Sequence, residues 1–184
     1  MKVKLGISNR HAHLTKDTYF KLFDHEMTID RELDQASEFV AREMITIKTD
    51  KDEFNNVRII GPYRKYDQVE ISRRDALKLG LNPPVRKSGD IKNSEFITLK
   101  TNKGEVKIEG CIIAERHVHM NPLDAKINKF YDNEEVFIKV LGDKGGYMRA
   151  KIKINEDVTP EAHIDTDDAA SFLLNQNDEV EIIK

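Results

Sequence analysis

The stretch Arg10-His11-Ala12-His13-Leu14 recurs later in the chain as Arg116-His117-Val118-His119-Met120. Each copy ends an apolar, strand-like run and is followed by a residue that favours the start of a helix, Thr15 or Asn121. The shared pattern is too short to prove a duplication. It nevertheless suggests two similar half-structures, each contributing one pair of histidines.

Around these copies, most of the chain alternates apolar and polar residues as half-buried strands do. The predicted strands are 2–8, 44–48, 57–60, 68–72, 96–101, 105–109, 112–119, 136–141, 150–154 and 179–183, with a hairpin turn at 101–104. The predicted helices are short: 16–24, 73–79, 122–130 and 167–174. The acidic stretch 24–42 is expected to be a helical or irregular insertion. Many strands with a few short helices favour β-barrels over a doubly wound sheet.

Composition narrows the possible functions. The 184 residues carry a net charge of −3, with 39% hydrophobic and 34% charged residues, as in a soluble globular protein. A pI near 6.1 argues against a dedicated nucleic-acid binder. No apolar run approaches the ~20 residues that cross a bilayer, so no membrane partner is expected. The single cysteine, Cys111, rules out an internal disulfide framework.

The histidine pairs are the strongest chemical signal. Residues i and i+2 of a strand point to the same face, so both imidazoles of a pair can bind one ion. A polar strand face is the alternative for a single pair, but two pairs in the same local context make it less favourable. His163, among carboxylates before the last helix, is a candidate third ligand, although alone it would more often neighbour a helix cap. Glu70 either completes a site or is simply exposed, and His25 is expected to be solvated.

Several cations form candidate anion sites. Arg64 follows the turn Gly61-Pro62, and Arg86-Lys87 follows a Pro-Pro turn. Arginine binds phosphate through two parallel hydrogen bonds, and lysine acts as a point charge. Each of these residues taken singly is more often a surface charge.

Together the motifs resemble one family. They are SNRHAHL (8–14), GPYRKYDQVEIS (61–72), PPVRKSGD (83–90), ERHVHMNPLDA (115–125) and EAHIDTDDA (161–169). In this order they are similar to the PduL-type phosphate propanoyltransferases, which are phosphotransacylases. Two positions depart from the family pattern: Ala170 stands where an asparagine is usual, and Glu115 where an alanine is usual. The first departure puts a contact to coenzyme A in doubt.

The resemblance implies a mainly β fold of two β-barrel domains with short capping α-helices. One barrel would comprise residues 1–9 plus 115–184, and the other residues 10–114. It also implies two zinc ions per chain. The implied ligands are His11, His13 and Glu70 for one ion, and His117, His119 and His163 for the other. Arg64 would hold phosphate, and the segment Ile7, Ser8 and Asn9 would lie beside coenzyme A, for which Arg86 and Lys87 are added candidates.

The expected function is a zinc-dependent phosphate acyltransferase that interconverts a short-chain acyl-CoA plus phosphate with acyl phosphate plus CoA. The acyl group would be propanoyl or acetyl, and a homodimer is expected from the family. The chain starts at the first strand without a secretory signal or the targeting extension of compartment-associated members, so we expect a cytoplasmic protein. The alternatives are a small zinc-dependent hydrolase and a non-enzymatic, cupin-like metal-binding module.

Overall fold

The computed structural model describes residues 1–33 and 37–184. The described chain divides into two compact units. The terminal unit comprises residues 1–9 and 115–184, and the central unit comprises residues 10–33 and 37–114. Both are built mainly of strands, and none of the helices among the described residues is long and apolar enough to span a membrane.

The described residues form the following elements. The strands are β1 (Lys2–Ser8), β2 (His11–His13), β3 (Ile29–Glu32), β4 (Phe39–Lys48), β5 (Glu53–Gly61), β6 (Gln68–Glu70), β7 (Val85–Arg86), β8 (Glu95–Lys100), β9 (Glu105–Ala114), β10 (His117–Met120), β11 (Glu135–Val140), β12 (Gly146–Ile154), β13 (Glu161–Asp165) and β14 (Glu179–Ile183). The helices are α1 (Lys16–Leu22), α2 (Arg73–Leu79), α3 (Pro122–Asn128) and α4 (Thr166–Phe172).

The terminal unit is a closed barrel of six strands in the order β1-β13-β10-β12-β11-β14. Alternation fills its interior: in β11, Val136, Ile138 and Val140 are buried while Glu135 is exposed. Burial of these branched side chains on one face is what stabilises a half-buried strand. The chain's first strand completes the barrel by pairing parallel to β13 and antiparallel to β14.

The central unit closes in the same way. Strands β4, β5, β2, β6, β9 and β8 pair in turn, and β8 returns to β4 to complete the ring. Strand β3 extends this sheet beside β4, and β7 extends it beside β9. The predicted mainly β fold of two barrels with short helices is therefore confirmed.

The two barrels share one topology. Read from the histidine strand, the terminal barrel runs β10-β12-β11-β14-β1-β13 and the central barrel runs β2-β5-β4-β8-β9-β6. Parallel and antiparallel pairings follow the same sequence around both rings. Helices α1 and α3 follow the histidine strands, and α2 and α4 follow β6 and β13. Strand β1 thus holds, in the terminal barrel, the place that β9 holds in the central one.

Side-chain caps fix where the helices begin, as the sequence predicts. Thr15, Ser72, Asn121 and Asp165 each accept a hydrogen bond from a backbone N–H of the first turn. Helix α2 ends at Gly80 in the left-handed conformation, at φ 71°, where glycine carries no steric penalty. The helix predicted at 73–79 is therefore confirmed in full, and the other three lie within a few residues of their predicted bounds.

Three expectations about strands need correction. The run 112–119 is not one strand, because β9 ends at Ala114 and the chain enters the terminal barrel as β10. Strand β13 was not predicted. The stretch 24–42, expected to be a helical or irregular insertion, contains strand where the structure describes it, since β3 and the start of β4 pair there, while residues 24–28 form neither helix nor strand. Its residues 34–36 lie outside the described residues.

Candidate metal centres

The described residues contain two groups of side chains that could each hold a metal ion. His11, His13 and Glu70 form one group in the central unit. The other, in the terminal unit, consists of His117, His119 and His163. Within each group the candidate ligand atoms lie within 4.8 Å of one another. The structure therefore brings together the predicted ligand sets, each around its own centre.

Strand pairing explains the assembly of each group. In the central unit, β2 runs antiparallel to β6, with His11 directly opposite Glu70. In the terminal unit, β10 runs antiparallel to β13, with His117 directly opposite His163. Facing residues on an antiparallel pair have Cβ atoms about 4.5–5.5 Å apart, and the second histidine lies on the same face of its strand. The third ligand of each centre is therefore set by register.

Hydrogen bonds orient three of the imidazoles. Nδ1 of His13 donates to the carbonyl oxygen of Ile60 at 3.1 Å, and Nδ1 of His117 donates to that of Glu115 at 3.0 Å. Nδ1 of His119 faces Oδ1 of Asn155 at 3.3 Å. Because a carbonyl oxygen can only accept, the neutral form of each ring carries its proton on Nδ1 and has a lone pair on Nε2. This arrangement is typical of metal-binding histidines.

In each centre, the Nε2 atoms of the histidine pair lie close to another candidate ligand atom. The Nε2 atoms of His117 and His119 are 3.1 Å apart. In the central unit, Nε2 of His11 lies 3.5 Å and Nε2 of His13 lies 4.0 Å from the Glu70 carboxylate oxygens. Donors at ~2.1 Å around a tetrahedral zinc ion lie roughly 3.4 Å apart. Two lone pairs at 3.1 Å repel each other unless a cation lies between them, so these residues fit a divalent ion.

A proton on His119 does not readily replace the cation between these nitrogens. Burial, followed by the neighbouring His117 and His163, lowers the pKa of His119 from 6.5 to about 2. The ring is only 8% exposed. The His119 ring is therefore held in its neutral, ligating form.

This pKa predicts a pH-dependent stability for the metal-free protein. The unfolded chain protonates His119 near pH 6.5, whereas the folded chain does not do so until about pH 2. The unfolded state therefore binds more protons, and the free energy of unfolding falls below pH 6.5 by up to about 1.4 kcal/mol per pH unit. Denaturant unfolding of the chelator-treated protein measures this slope. His119→Asn should reduce this slope by the contribution of one proton. Equal slopes in both proteins would contradict the lowered pKa of His119.

A carboxylate lies at each centre, as a candidate ligand in the central unit and as a hydrogen-bond partner of a candidate ligand in the terminal unit. In the central unit the carboxylate is Glu70, to which Gln68 donates a hydrogen bond of 2.7 Å. Gln68 is fully buried and is itself held by Ser88 and by the backbone N–H of Gly89. In the terminal unit the corresponding strand carries Glu161 two residues before His163, with Oε2 at 2.7 Å from Nε2 of the ring. The carboxylate is at the position of the third candidate ligand in the central unit, as Glu70, and two residues before that position in the terminal unit, as Glu161. One carboxylate charge therefore lies at each centre.

Gly6 lets β1 pass directly against the terminal centre. It pairs with His163 in register. A Cβ atom there would lie 3.0 Å from Nε2 of His163 and 3.2 Å from Cδ of Glu161. Any side chain at this position would therefore push the imidazole or the carboxylate away.

Arg64 is attached to the central centre through its backbone. Its N–H donates to the carbonyl oxygen of Leu14, the residue after His13, at 2.8 Å. Its Nη2 contacts the carboxylate of Glu38. Among the described residues, its buried Nε has no hydrogen-bond partner. In the terminal unit, the N–H of Asn155 makes the equivalent bond to Met120.

The residues predicted beside coenzyme A fall in both units. Ile7 and Ser8 end β1, opposite Ile164 and Asp165, and Asn9 follows them at the surface. The N–H of Ile7 donates to the side chain of Gln176 at 2.8 Å. Arg86 lies in β7, 3.7 Å from Asp90, and Lys87 follows it. Their role in binding coenzyme A stays a prediction.

Sequence reasoning missed several supporting residues, listed here in chain order: Gly6, Gln68, Asp75, Asn155, Glu161 and Asp168. Two of them carry a readable signal, because Asp75 and Asp168 each stand five residues after the third ligand of a centre. Glu161 could have been found from its i−2 spacing to His163 on one strand face. Gln68, Asn155 and Gly6 depend on pairings between distant segments and leave no local pattern.

The known proteins to which this chain is similar share one description. The family model described as phosphate propanoyltransferase matches residues 4–175. A phosphate propanoyltransferase of Thermotoga maritima is 41% identical over 98% of this chain and 88% of its own length. Those of Shewanella putrefaciens and Salmonella typhimurium are 42% and 39% identical, each over 91% of this chain and 81% of its own length.

Both the family match and the relatives extend over nearly the whole chain, including both histidine pairs and the strands that carry Glu70 and His163. The chain belongs to the phosphate propanoyltransferase family and is an enzyme of the acyltransferase class.

Proposed function

We propose that the enzyme catalyses acyl-CoA + phosphate ⇌ acyl phosphate + CoA, with propanoyl or acetyl as the acyl group and two zinc ions bound per chain. The observation that carries the metal dependence is the pair of Nε2 atoms facing each other at 3.1 Å in the terminal centre. The acyl transfer rests on membership of the family. Acyl groups that differ by one methylene are separated by only ~1–3 kcal/mol in a pocket, so the proposal includes both.

In this proposal His11, His13 and Glu70 hold one zinc ion, and His117, His119 and His163 hold the other. Three protein ligands leave one coordination position open, as catalytic zinc sites require. A bound zinc ion supplies Lewis acidity toward an oxygen and affinity for a thiolate.

The remaining work falls to the protein's own side chains. A phosphate oxygen forms a bond to the thioester carbon, the carbon–sulfur bond breaks, and coenzyme A leaves with the electron pair. Phosphate is already anionic, so it needs positioning and charge neutralisation more than a strong base. Arg64 would supply both, since its backbone is bonded to Leu14, the residue after His13, and the buried Nε of its guanidinium has no hydrogen-bond partner among the described residues. Direct transfer of this kind needs no acyl-enzyme.

Cys111 provides a check on direct transfer. It lies in the core of the central barrel, and burial, with Glu95 nearby, raises the pKa of its thiol to about 12. A buried, protonated thiol is a poor nucleophile. We therefore expect Cys111→Ala to keep zinc and stay within about twofold of wild-type activity, and a thiol reagent to label Cys111 only after unfolding. A folded, zinc-loaded but inactive Cys111→Ala protein would instead indicate an acyl-enzyme.

A kinetic experiment separates the proposed transfer from the two alternatives. The zinc-loaded protein is incubated with propanoyl-CoA or acetyl-CoA, with and without phosphate, while free CoA and acyl phosphate are both measured. The proposal requires CoA release that depends on phosphate and yields an equal amount of acyl phosphate. Equal thioester cleavage in water alone would make the protein a hydrolase. Zinc binding without any affinity for CoA in calorimetry would make it a metal-binding module.

The homodimer and the cytoplasmic location stay predictions of the family resemblance. Light scattering on the zinc-loaded protein measures the first directly, with a mass near twice 21.2 kDa expected.

A further inference from the structure

An arginine immediately before each histidine pair forms a two-pronged ion pair with an aspartate. Arg10 donates from Nε and Nη2 to the two carboxylate oxygens of Asp75, at 2.9 and 2.8 Å. Arg116 donates in the same way to Asp168, at 2.6 and 2.7 Å. These hydrogen bonds also raise the pKa of Arg116. The same contact thus occurs at the same place in both repeats.

Each of these two-pronged ion pairs, Arg10–Asp75 and Arg116–Asp168, is called a fork below. Each fork connects the histidine strand of one centre to the helix that follows the strand of the third candidate ligand. In the central unit, Glu70 ends β6, Ser72 caps α2, and Asp75 lies in the first turn of that helix. Arg10 ties this turn to the start of β2, where His11 faces Glu70 across the strand pair. The histidine strand and the third-ligand strand are therefore joined twice, by the ladder and by the fork.

The terminal unit repeats this arrangement with different residues. His163 lies in β13, Asp165 caps α4, and Asp168 lies in the first turn. Arg116 ties that turn to the start of β10, where His117 faces His163. In both units the aspartate stands five positions after the third candidate ligand, although that residue is a glutamate in one and a histidine in the other.

These forks differ from ordinary surface ion pairs. The side chain of Asp75 is 8% exposed and that of Asp168 is 18% exposed. Arg10 is further fixed by the ring of Phe54, whose centroid lies 4.2 Å from its Cζ. A planar guanidinium bonded twice to one carboxylate has a defined orientation, which a single long bond would not give. Exposed ion pairs, by contrast, rarely hold a backbone in place.

We propose that Arg10–Asp75 and Arg116–Asp168 are positioning pairs, one for each metal centre, that hold the histidine strand at the distance from the third ligand that a zinc ion requires. The inference rests on the proposed function, since it concerns the same two centres. None of the four residues belongs to a ligand group, so each acts through the ligand beside it. Outer groups of this kind typically change metal affinity 10–100-fold.

The two-fold repetition provides its own control. Asp75→Asn keeps the size of the side chain but removes the charge and one acceptor site. We expect it to speed zinc release from the central centre about 10–100-fold and to leave the terminal centre unchanged. Asp168→Asn should do the reverse. Arg10→Lys keeps the charge and loses the fork, so it should resemble Asp75→Asn.

The experiment measures zinc release from the full-length, zinc-loaded chain to a coloured chelator, together with zinc content by mass spectrometry. The site that releases zinc faster is identified by repeating each change in a chain whose other centre lacks its third ligand. Glu181→Gln, which breaks a partly buried ion pair to Lys139 outside both ligand groups, is the matched control and should release both ions as wild type does. Denaturant unfolding of the metal-free variants shows whether stability alone has changed.

The outcomes are distinct. Selective release from one centre, with metal-free stability close to that of the control variant, supports the positioning role. Unchanged release in both aspartate variants and in Arg10→Lys overturns it, as does equal acceleration at both centres in parallel with lost stability. A wild-type protein that binds no zinc overturns the proposed metal dependence as well, whereas two tightly bound ions with insensitive forks overturn only this inference.

Discussion

Replacing Glu70 or His163 by glutamine is expected to lower phosphate-dependent acyl transfer by about 10³-fold or more. Each change removes the third ligand of one centre while nearly preserving the volume of the side chain. Two donors do not hold a divalent ion firmly, so one equivalent of zinc should be lost in each variant. The measurements are kcat/KM with acyl-CoA and phosphate, and zinc content per chain.

Two neighbouring changes calibrate that result. His25 lies outside both ligand groups, and its side chain is 53% exposed, so His25→Gln should leave zinc content and activity unchanged. Glu161 contacts His163 without belonging to the ligand group, so Glu161→Gln should lower phosphate-dependent acyl transfer by about 10–100-fold. Full activity in a Glu70→Gln or His163→Gln protein that has lost zinc would contradict the metal dependence.

The candidate ligands were predictable from the sequence because most of them are histidines in a short pattern that occurs twice. Two imidazoles at i and i+2 are already a half-built site, and a second copy made a chance pattern less favourable. Glu70 was ambiguous on local grounds, since a polar residue between Val69 and Ile71 reads equally well as exposed. Only the pairing of Glu70 with His11 across the ladder places its carboxylate in the candidate ligand group, and the two residues are far apart in the chain.

Strand β13 escaped prediction for a related reason. Its inward residues are Ala162 and Ile164, only two in number, and its other face carries Glu161, His163 and the capping Asp165. Two buried residues, one of them an alanine, give too short an apolar alternation to predict a strand. Strand β3 was not predicted for a different reason. All four of its residues are exposed, and it pairs at the edge of a sheet without contributing to the core.

The shared topology explains why the two Arg-His-x-His segments look alike. Strand β1 completes the terminal barrel while β2, only three residues later, starts the ladder of the central one. Strands β9 and β10 do the same in the opposite sense. Each segment therefore marks the point where the chain leaves one barrel for the other. At that point a fork to a helix fixes the direction of the histidine strand.

The two repeats differ at the position of Arg64, and this difference leads to the prediction with the second large effect on activity. The backbone position that Arg64 holds in the central unit is held by Asn155 in the terminal unit, where the side chain hydrogen-bonds to His119. Arg64 instead ends in a guanidinium whose buried Nε has no partner among the described residues. An unpaired buried donor is costly unless a ligand completes it. We therefore assign phosphate to the central repeat.

Arg64→Ala is expected to lower kcat/KM for phosphate by about 10²–10³-fold, as removal of a charge-stabilising donor does in other active sites. The KM for acyl-CoA should change little, because the thioester does not need this charge to bind. Arg64→Lys should recover only part of the loss, since an ammonium cannot form the two-pronged contact. Initial rates at varied phosphate and acyl-CoA measure this, with Arg149→Ala, an exposed arginine side chain in the terminal unit, as control. A raised KM for acyl-CoA together with an unchanged KM for phosphate would contradict the assignment.

Glu38 makes the assignment sharper, because its carboxylate contacts the same guanidinium that phosphate would need. Phosphate and Glu38 would then compete for Arg64. Glu38→Gln removes the competing charge, so it should lower the KM for phosphate a few-fold in the wild-type background. In the Arg64→Ala background the same change should have no effect, since no guanidinium is left to compete for. A similar decrease in both backgrounds would mean that Glu38 repels phosphate on its own and that Arg64 does not hold it.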